Sequence, residues 1–172
     1  TSGGVIANVG NVGFAGGSVG AGGNPLHFHV LGGATTLTFG STALGSGGLI
    51  KSGNGVMTLT RASYNSGGVT VNDGTLKLVA GLAANPLLVI PTATVPTVVD
   101  LNVNGGTLDL NGNTQAFRRL TQFTSSVYAN GAGSVTNSST SSATLLVVQD
   151  NTATTFSGAI SGGNIHFEKQ GS

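Results

Sequence analysis

Very few side chains in this chain could do chemistry. The carboxylates are Asp73, Asp100, Asp109, Asp150 and Glu168. Glycoside hydrolysis and related polysaccharide chemistry need at least two acids flanking one bond. Asp73 falls in a glycine-containing turn, and Asp109 falls on an outward strand position, so no catalytic cluster is expected and the chain reads as a non-enzyme. His27-Phe28-His29 is the best metal candidate, because residues i and i+2 of a strand share a face. No third ligand lies nearby and His166 is distant in sequence, so the two imidazoles read as part-exposed residues flanking an inward Phe28. No metal, cofactor or catalytic residue is therefore assigned.

Arg118-Arg119 is a basic doublet whose members point to opposite faces if they lie on a strand, so no basic patch is expected. No Gly-rich phosphate loop precedes a helix, and neither a Walker motif nor calcium-binding nonapeptides occur. A net charge of +1 argues against a nucleic-acid partner. Asn137-Ser-Ser has the form of a glycosylation sequon, and Gly131 to Thr144 reads as a Ser/Thr-rich loop or lateral excursion.

Elements must position these groups, and helices are poor candidates. The chain has 172 residues with 30 Gly, one Glu and three Lys, and each interior Gly costs a helix about 1 kcal/mol. Charged residues make up only 6% against 38% hydrophobic ones, so the chain can bury a core, while Ser, Thr, Asn and Gly must supply its polar surface. Cysteine is absent, and a core of this length needs no disulfide. No leader is visible at Thr1, so the chain is expected to be a mature region or an excised fragment. The apolar run Leu87–Val99 is short and holds Pro91 and Pro96, which argues against a membrane span.

Alternation with turn punctuation predicts strands at Leu26–Val30, Thr36–Phe39, Val56–Thr60, Val69–Val71, Thr75–Leu78, Leu101–Val103, Thr107–Leu110, Ala143–Val148 and Ile165–Phe167. An internal repeat links four of them. Val69-Thr-Val-Asn-Asp-Gly-Thr-Leu-Lys-Leu78 aligns without gaps on Leu101-Asn-Val-Asn-Gly-Gly-Thr-Leu-Asp-Leu110. Lys51-Ser-Gly and Lys169-Gln-Gly also echo each other after the glycine pairs Gly47-Gly48 and Gly162-Gly163. A sandwich or a propeller also uses short strands. Direct repeats and corner glycines favour a solenoid instead. The prediction is an all-β, single-stranded parallel β-helix, right-handed, with rungs of about 20 residues and about eight rungs.

Direct stacking of the repeats would bring Lys77 onto Asp109. Asn72, Asn104, Asn111 and Asn113 are read mainly as left-handed turn residues, with hydrogen-bonded ladders between rungs as the alternative. Phe14, Phe28, Phe39, Phe117, Phe123, Phe156 and Phe167 are read as core.

The stretch Gly47-Gly-Leu-Ile-Lys-Ser-Gly-Asn-Gly-Val-Met-Thr-Leu-Thr60, followed by Tyr64-Asn-Ser-Gly-Gly-Val-Thr-Val-Asn-Asp-Gly-Thr-Leu-Lys-Leu78, resembles the autotransporter-associated β-strand repeat. Gly106-Thr-Leu-Asp-Leu-Asn-Gly112, Gly133-Ser-Val-Thr-Asn137, Ala143-Thr-Leu145 and Phe156-Ser-Gly-Ala-Ile160 follow in the order typical of that family. The resemblance spans residues 42–172, with a further repeat beginning near residue 162, and residues 1–41 form N-terminal rungs without a clear motif.

The resemblance implies a passenger β-helix of a secreted or surface-anchored bacterial protein, serving as a stalk or adhesive segment. It implies no catalytic residues. Anchoring through a barrel, a sorting tail or none stays open. A self-assembling filament subunit is the second reading, and a polysaccharide-active or glycan-binding module the third. Partners under these readings are a host or matrix surface, or the chain itself end to end. Within this segment no membrane insertion is expected.

Overall fold

The computed structural model describes residues 3–82, 86–88, 98–123, 132–148 and 152–171. Every strand pairing among them is parallel, and no helix occurs there. The chain winds as a β-solenoid of about 6 turns. The elements in chain order are β1 (Gly3–Ala7), β2 (Asn11–Gly20), β3 (Leu26–Val30), β4 (Thr36–Gly45), β5 (Leu49–Ser52), β6 (Val56–Leu59), β7 (Ser63–Asn65), β8 (Val69–Val71) and β9 (Thr75–Leu78). They continue with β10 (Leu87–Leu88), β11 (Leu101–Val103), β12 (Thr107–Asp109), β13 (Thr114–Phe117), β14 (Leu120–Thr121), β15 (Ser134–Asn137), β16 (Ala143–Val148), β17 (Ala159–Gly162) and β18 (Ile165–Gln170).

Most turns contribute one stretch of strand to each of three walls, and in the first two turns a single long strand, β2 or β4, serves both the second wall and the third. The first wall stacks in the order β1-β3-β5-β8-β11-β14. The second runs β4-β6-β9-β12-β15-β17, with β2 beneath β4. The third is built from the second half of β4 with β7 and β10, and then from β13-β16-β18. The direct repeat is the stacking unit. Leu101 pairs with Val69 and Val103 with Val71 in the first wall, while Thr107 pairs with Thr75 and Asp109 with Lys77 in the second.

The period-2 pattern decides what is buried. Leu26, Phe28, Val30, Leu49, Val69, Val71, Leu101 and Val103 point inward from the first wall, and Leu37, Phe39, Met57, Leu59, Leu76, Leu78, Leu108 and Val135 from the second. Burying each such side chain stabilises the coil by about 1.5–3 kcal/mol. Phe28 and Phe39 meet edge to face, with centroids 4.9 Å apart.

Glycine is required where rungs touch backbone to backbone. Gly74 of the repeat has φ +62°, and a Cβ there would collide with the carbonyl oxygens of Gly53 and Gly55 one turn away. Its counterpart Gly106 leaves room for Val71, whose Cγ1 would lie 2.7 Å from an added Cβ.

Several expectations change. The turns number about six rather than eight, because the fourth and sixth carry longer connections, between Leu78 and Leu101 and between Thr121 and Ser134. Only Phe28, Phe39 and Phe117 are fully buried. Phe156 is partly buried, while Phe14, Phe123 and Phe167 are exposed at the first turn, after β14 and on the last turn. Gly133–Thr144 is no lateral excursion. It forms β15, a tight Ser/Thr turn and the start of β16.

The strands at Asn11–Gly20 and Leu49–Ser52 escape the alternation rule. The first is interrupted by glycine, and the second places Ile50 outward and Lys51 inward. Most of Leu87–Val99, with Pro91 and Pro96, lies outside the described residues.

Candidate functional site

The corner joining the first wall to the second carries the most organised polar chemistry. Lys51 is 0% exposed, and its stem packs inside the coil between Phe28 and Val71, its neighbours in the ladder. Its ammonium reaches the corner and donates to three backbone carbonyls: Ser52 at 3.1 Å, Gly53 at 2.6 Å and Asp73 of the next turn at 3.0 Å. All three donors are thereby used. Burial pushes its pKa down to about 8, opposed in part by the Asp73 carboxylate. In the sequence Lys51 stands out only through its echo with Lys169 and as part of the stretch that resembles the repeat family. Nothing in its alternation pattern announces an inward ammonium.

A polar ladder climbs the same corner. Asn72 Nδ2 donates to Ser52 Oγ at 3.3 Å, Asn104 Nδ2 donates to Asn72 Oδ1 at 2.7 Å, and the Phe123 amide donates to Asn104 Oδ1 at 2.8 Å. The turn reading is therefore corrected for Asn72 and Asn104, whose repeat positions stack and let amide meet amide. Asn111 keeps that reading, with φ 46°. Asn113 is buried, and its Nδ2 bridges the carbonyls of Val79 and Leu110.

The carboxylates are separated, and each described one has a local partner. Asp73 Oδ1 accepts from the Gly74 amide at 2.7 Å. Asp109 is largely buried, lies 3.3 Å from Lys77 Nζ, and accepts from the Ser138 hydroxyl at 2.6 Å and the Asn111 amide at 3.0 Å. The cross-rung Lys77–Asp109 pair expected from the repeat is thus present. Glu168 accepts from Gln170 Nε2 at 2.6 Å. Asp150 lies outside the described residues.

Asp100 takes a two-pronged hydrogen bond from Arg118, Nε to Oδ1 at 2.8 Å and Nη2 to Oδ2 at 2.7 Å, and Arg119 Nη1 approaches to 3.8 Å. This corrects the expectation that the two arginines diverge. They sit at a corner between β13 and β14 rather than on a strand, so strand alternation does not separate them.

His27 and His29 share the outer face of β3, as expected, with parallel rings. His166 is exposed on β18 of the third wall. Among the described residues no group of three or more His, Cys, Asp or Glu could hold a metal ion. Lys169 is exposed on β18 and donates to the Gly171 carbonyl at 3.1 Å, the same local bond that Lys51 makes to Gly53. The two lysines occupy different walls, so the sequence echo is not a stacked position. Asn137 of the sequon is buried, and its Nδ2 donates to the Ser141 and Gly163 carbonyls.

Comparison with protein-family models, curated proteins and solved structures finds no match. The molecule is a parallel β-solenoid of repeat type on the strength of its own stacking.

Proposed function

We propose that the chain is a structural stalk or adhesive passenger segment of a secreted bacterial surface protein, of the autotransporter-associated repeat type. One observation carries the reading. The sequence repeat that resembles this family is also the rung-stacking unit, with Val69–Val71 on Leu101–Val103 and Thr75–Lys77 on Thr107–Asp109. A coil whose polar side chains join turn to turn is built to extend and to resist unwinding. Its outer second wall offers mainly hydroxyls, with Thr36, Thr58, Thr75, Thr107, Ser134 and Thr136 facing outward. Location outside the cell or on its surface follows from this reading, with host or matrix surfaces as partners.

Incubation with a panel of surface polysaccharides and matrix proteins, scored for both retention and product release, tests it. Retention without turnover, or inertness, is expected. Saturable turnover lost on substituting Asp100 or Asp109 would overturn it.

A second reading, a filament subunit, is favoured by a cleft of about 350 Å³ on the last turn lined by Phe156, Ile160, Phe167, Val147, Leu120 and Lys169. Electron microscopy across a concentration series separates the two. Short rods at every concentration support the stalk, and long uniform filaments support the subunit.

A further inference from the structure

The outer face of β3 holds two imidazoles that the solenoid itself does not use. His27 and His29 are half-buried, their rings lie 6° from parallel, and their centroids are 6.2 Å apart. Among the described residues neither imidazole has a hydrogen-bond or ion-pair partner. A buried structural histidine normally fixes its ring through such a partner.

The strand beneath them is paired on both sides. Gly4 and Ile6 of β1 flank the pair on one edge, and Ile50 and Ser52 of β5 on the other. Gly4 carries no side chain, which leaves open space beside His27. The outer faces of these three strands hold no Lys, Arg, Asp or Glu, because Lys51 points inward. No cation repels an incoming ion, and no carboxylate competes for the rings.

We propose that His27 and His29 form an open two-imidazole site for a late first-row transition ion, Cu²⁺ above Ni²⁺ and Zn²⁺. Imidazole suits these ions, and the preference follows their general order of affinity for nitrogen ligands. The remaining coordination positions are filled by water, as in sites that keep open positions. Metal–imidazole bonds of about 2.0–2.1 Å put the two ligating nitrogens at most about 4.2 Å apart, so the parallel rings, with centroids 6.2 Å apart, must each lean inward by at least about 1 Å. Side-chain rotation on a rigid strand supplies that movement without shifting the backbone. Phe28 lies between the two histidines, is fully buried and anchors the strand from below, so the pair is held at fixed spacing. The site is a chelate on a regular surface and is independent of the stalk reading.

The test is calorimetric titration of the untagged chain with Cu²⁺, Ni²⁺ and Zn²⁺, together with the variants His27→Gln, His29→Gln and His166→Gln. One-to-one binding is expected, weakened at least about tenfold by either of the first two changes and unaffected by the third. In ¹H–¹⁵N spectra Cu²⁺ should broaden signals of β1, β3 and β5 first. Absence of binding, survival of binding in the His27→Gln/His29→Gln double variant, or broadening centred on β18 would overturn the site. Unchanged far-ultraviolet dichroism confirms that the outward-facing substitutions leave the coil intact.

Discussion

The first two walls and the third wall follow different rules. In the first two, strands of the repeat stack in register from turn to turn, and insertions are absent between paired strands of one turn through the middle of the coil. Of the two longer connections, Thr121–Ser134 opens the first-to-second corner at the sixth turn, and Leu78–Leu101 runs through the third wall. In the third and fourth turns the third wall is spanned by a three-residue β7 and a two-residue β10, and its interior includes Ser41, Ser63, Asn65 and Gln115 beside Leu87 and Phe117. Asn65 Oδ1 is buried without a hydrogen-bond partner there. Through the middle of the coil, register thus resides in the two repeat walls and their shared corner, while the third wall carries the more polar interior.

That contrast can be broken first by volume. Leu76→Ala and Leu108→Ala each empty a fully buried position in the second wall and should cost about 2–5 kcal/mol in denaturant unfolding. Phe167→Ala, on the exposed last turn, should cost less than about 1 kcal/mol, because little packing is lost.

The polar corner gives the next effect. Asn104→Ala leaves Asn72 Oδ1 and the Phe123 amide without a partner and should cost about 1–3 kcal/mol.

Lys51 sharpens the comparison through pH. Its pKa falls from 10.5 unfolded to about 8 folded, so between those values the unfolded chain binds more protons and stability rises with pH. The penalty is fully present below pH 8 and relieved above pH 10.5, a rise of at most about 3 kcal/mol. Lys51→Met should flatten that part of the stability–pH curve, read as the difference between the two proteins. A curve for the variant that matches the parent between pH 8 and 10 would refute the buried ammonium.

The smallest effect belongs to the surface. Lys77→Met removes a half-exposed partner of Asp109 and should cost about 0–1 kcal/mol, because Ser138 and Asn111 still hold the carboxylate. A loss equal to that of Asn104→Ala would place the stabilising network on the wall rather than at the corner.

Much of this architecture was legible in the sequence. Leu76 and Leu78 alternate with Thr75 and Lys77 because one face is buried, and the gapless repeat predicts the Lys77–Asp109 contact directly. What escaped needed knowledge of three-dimensional corners. Lys51 looks outward by type, yet a long apolar stem lies inside the coil and lets its ammonium reach a ring of carbonyls without exposure. Asn72 and Asn111 are the same residue, each following a strand of the repeat at a different corner. Only stacking on Asn104 makes the first a ladder residue, while a left-handed backbone makes the second a turn residue. Arg118 and Arg119 converge because they lie at a corner, which strand periodicity does not describe.

The central claim is that the repeats stack one turn apart in register, and paired cysteines test it most directly in a chain that has none. Ile50, Thr70 and Asn102 occupy one outward column on successive turns. Adjacent strands lie about 4.8 Å apart, within disulfide reach, whereas two turns span about 9.6 Å, beyond it. Under mild oxidation, Thr70→Cys/Asn102→Cys should lose its free thiols as an intramolecular disulfide, and Ile50→Cys/Asn102→Cys should keep them. Bridging of the second pair and not the first would contradict the stacked-repeat solenoid.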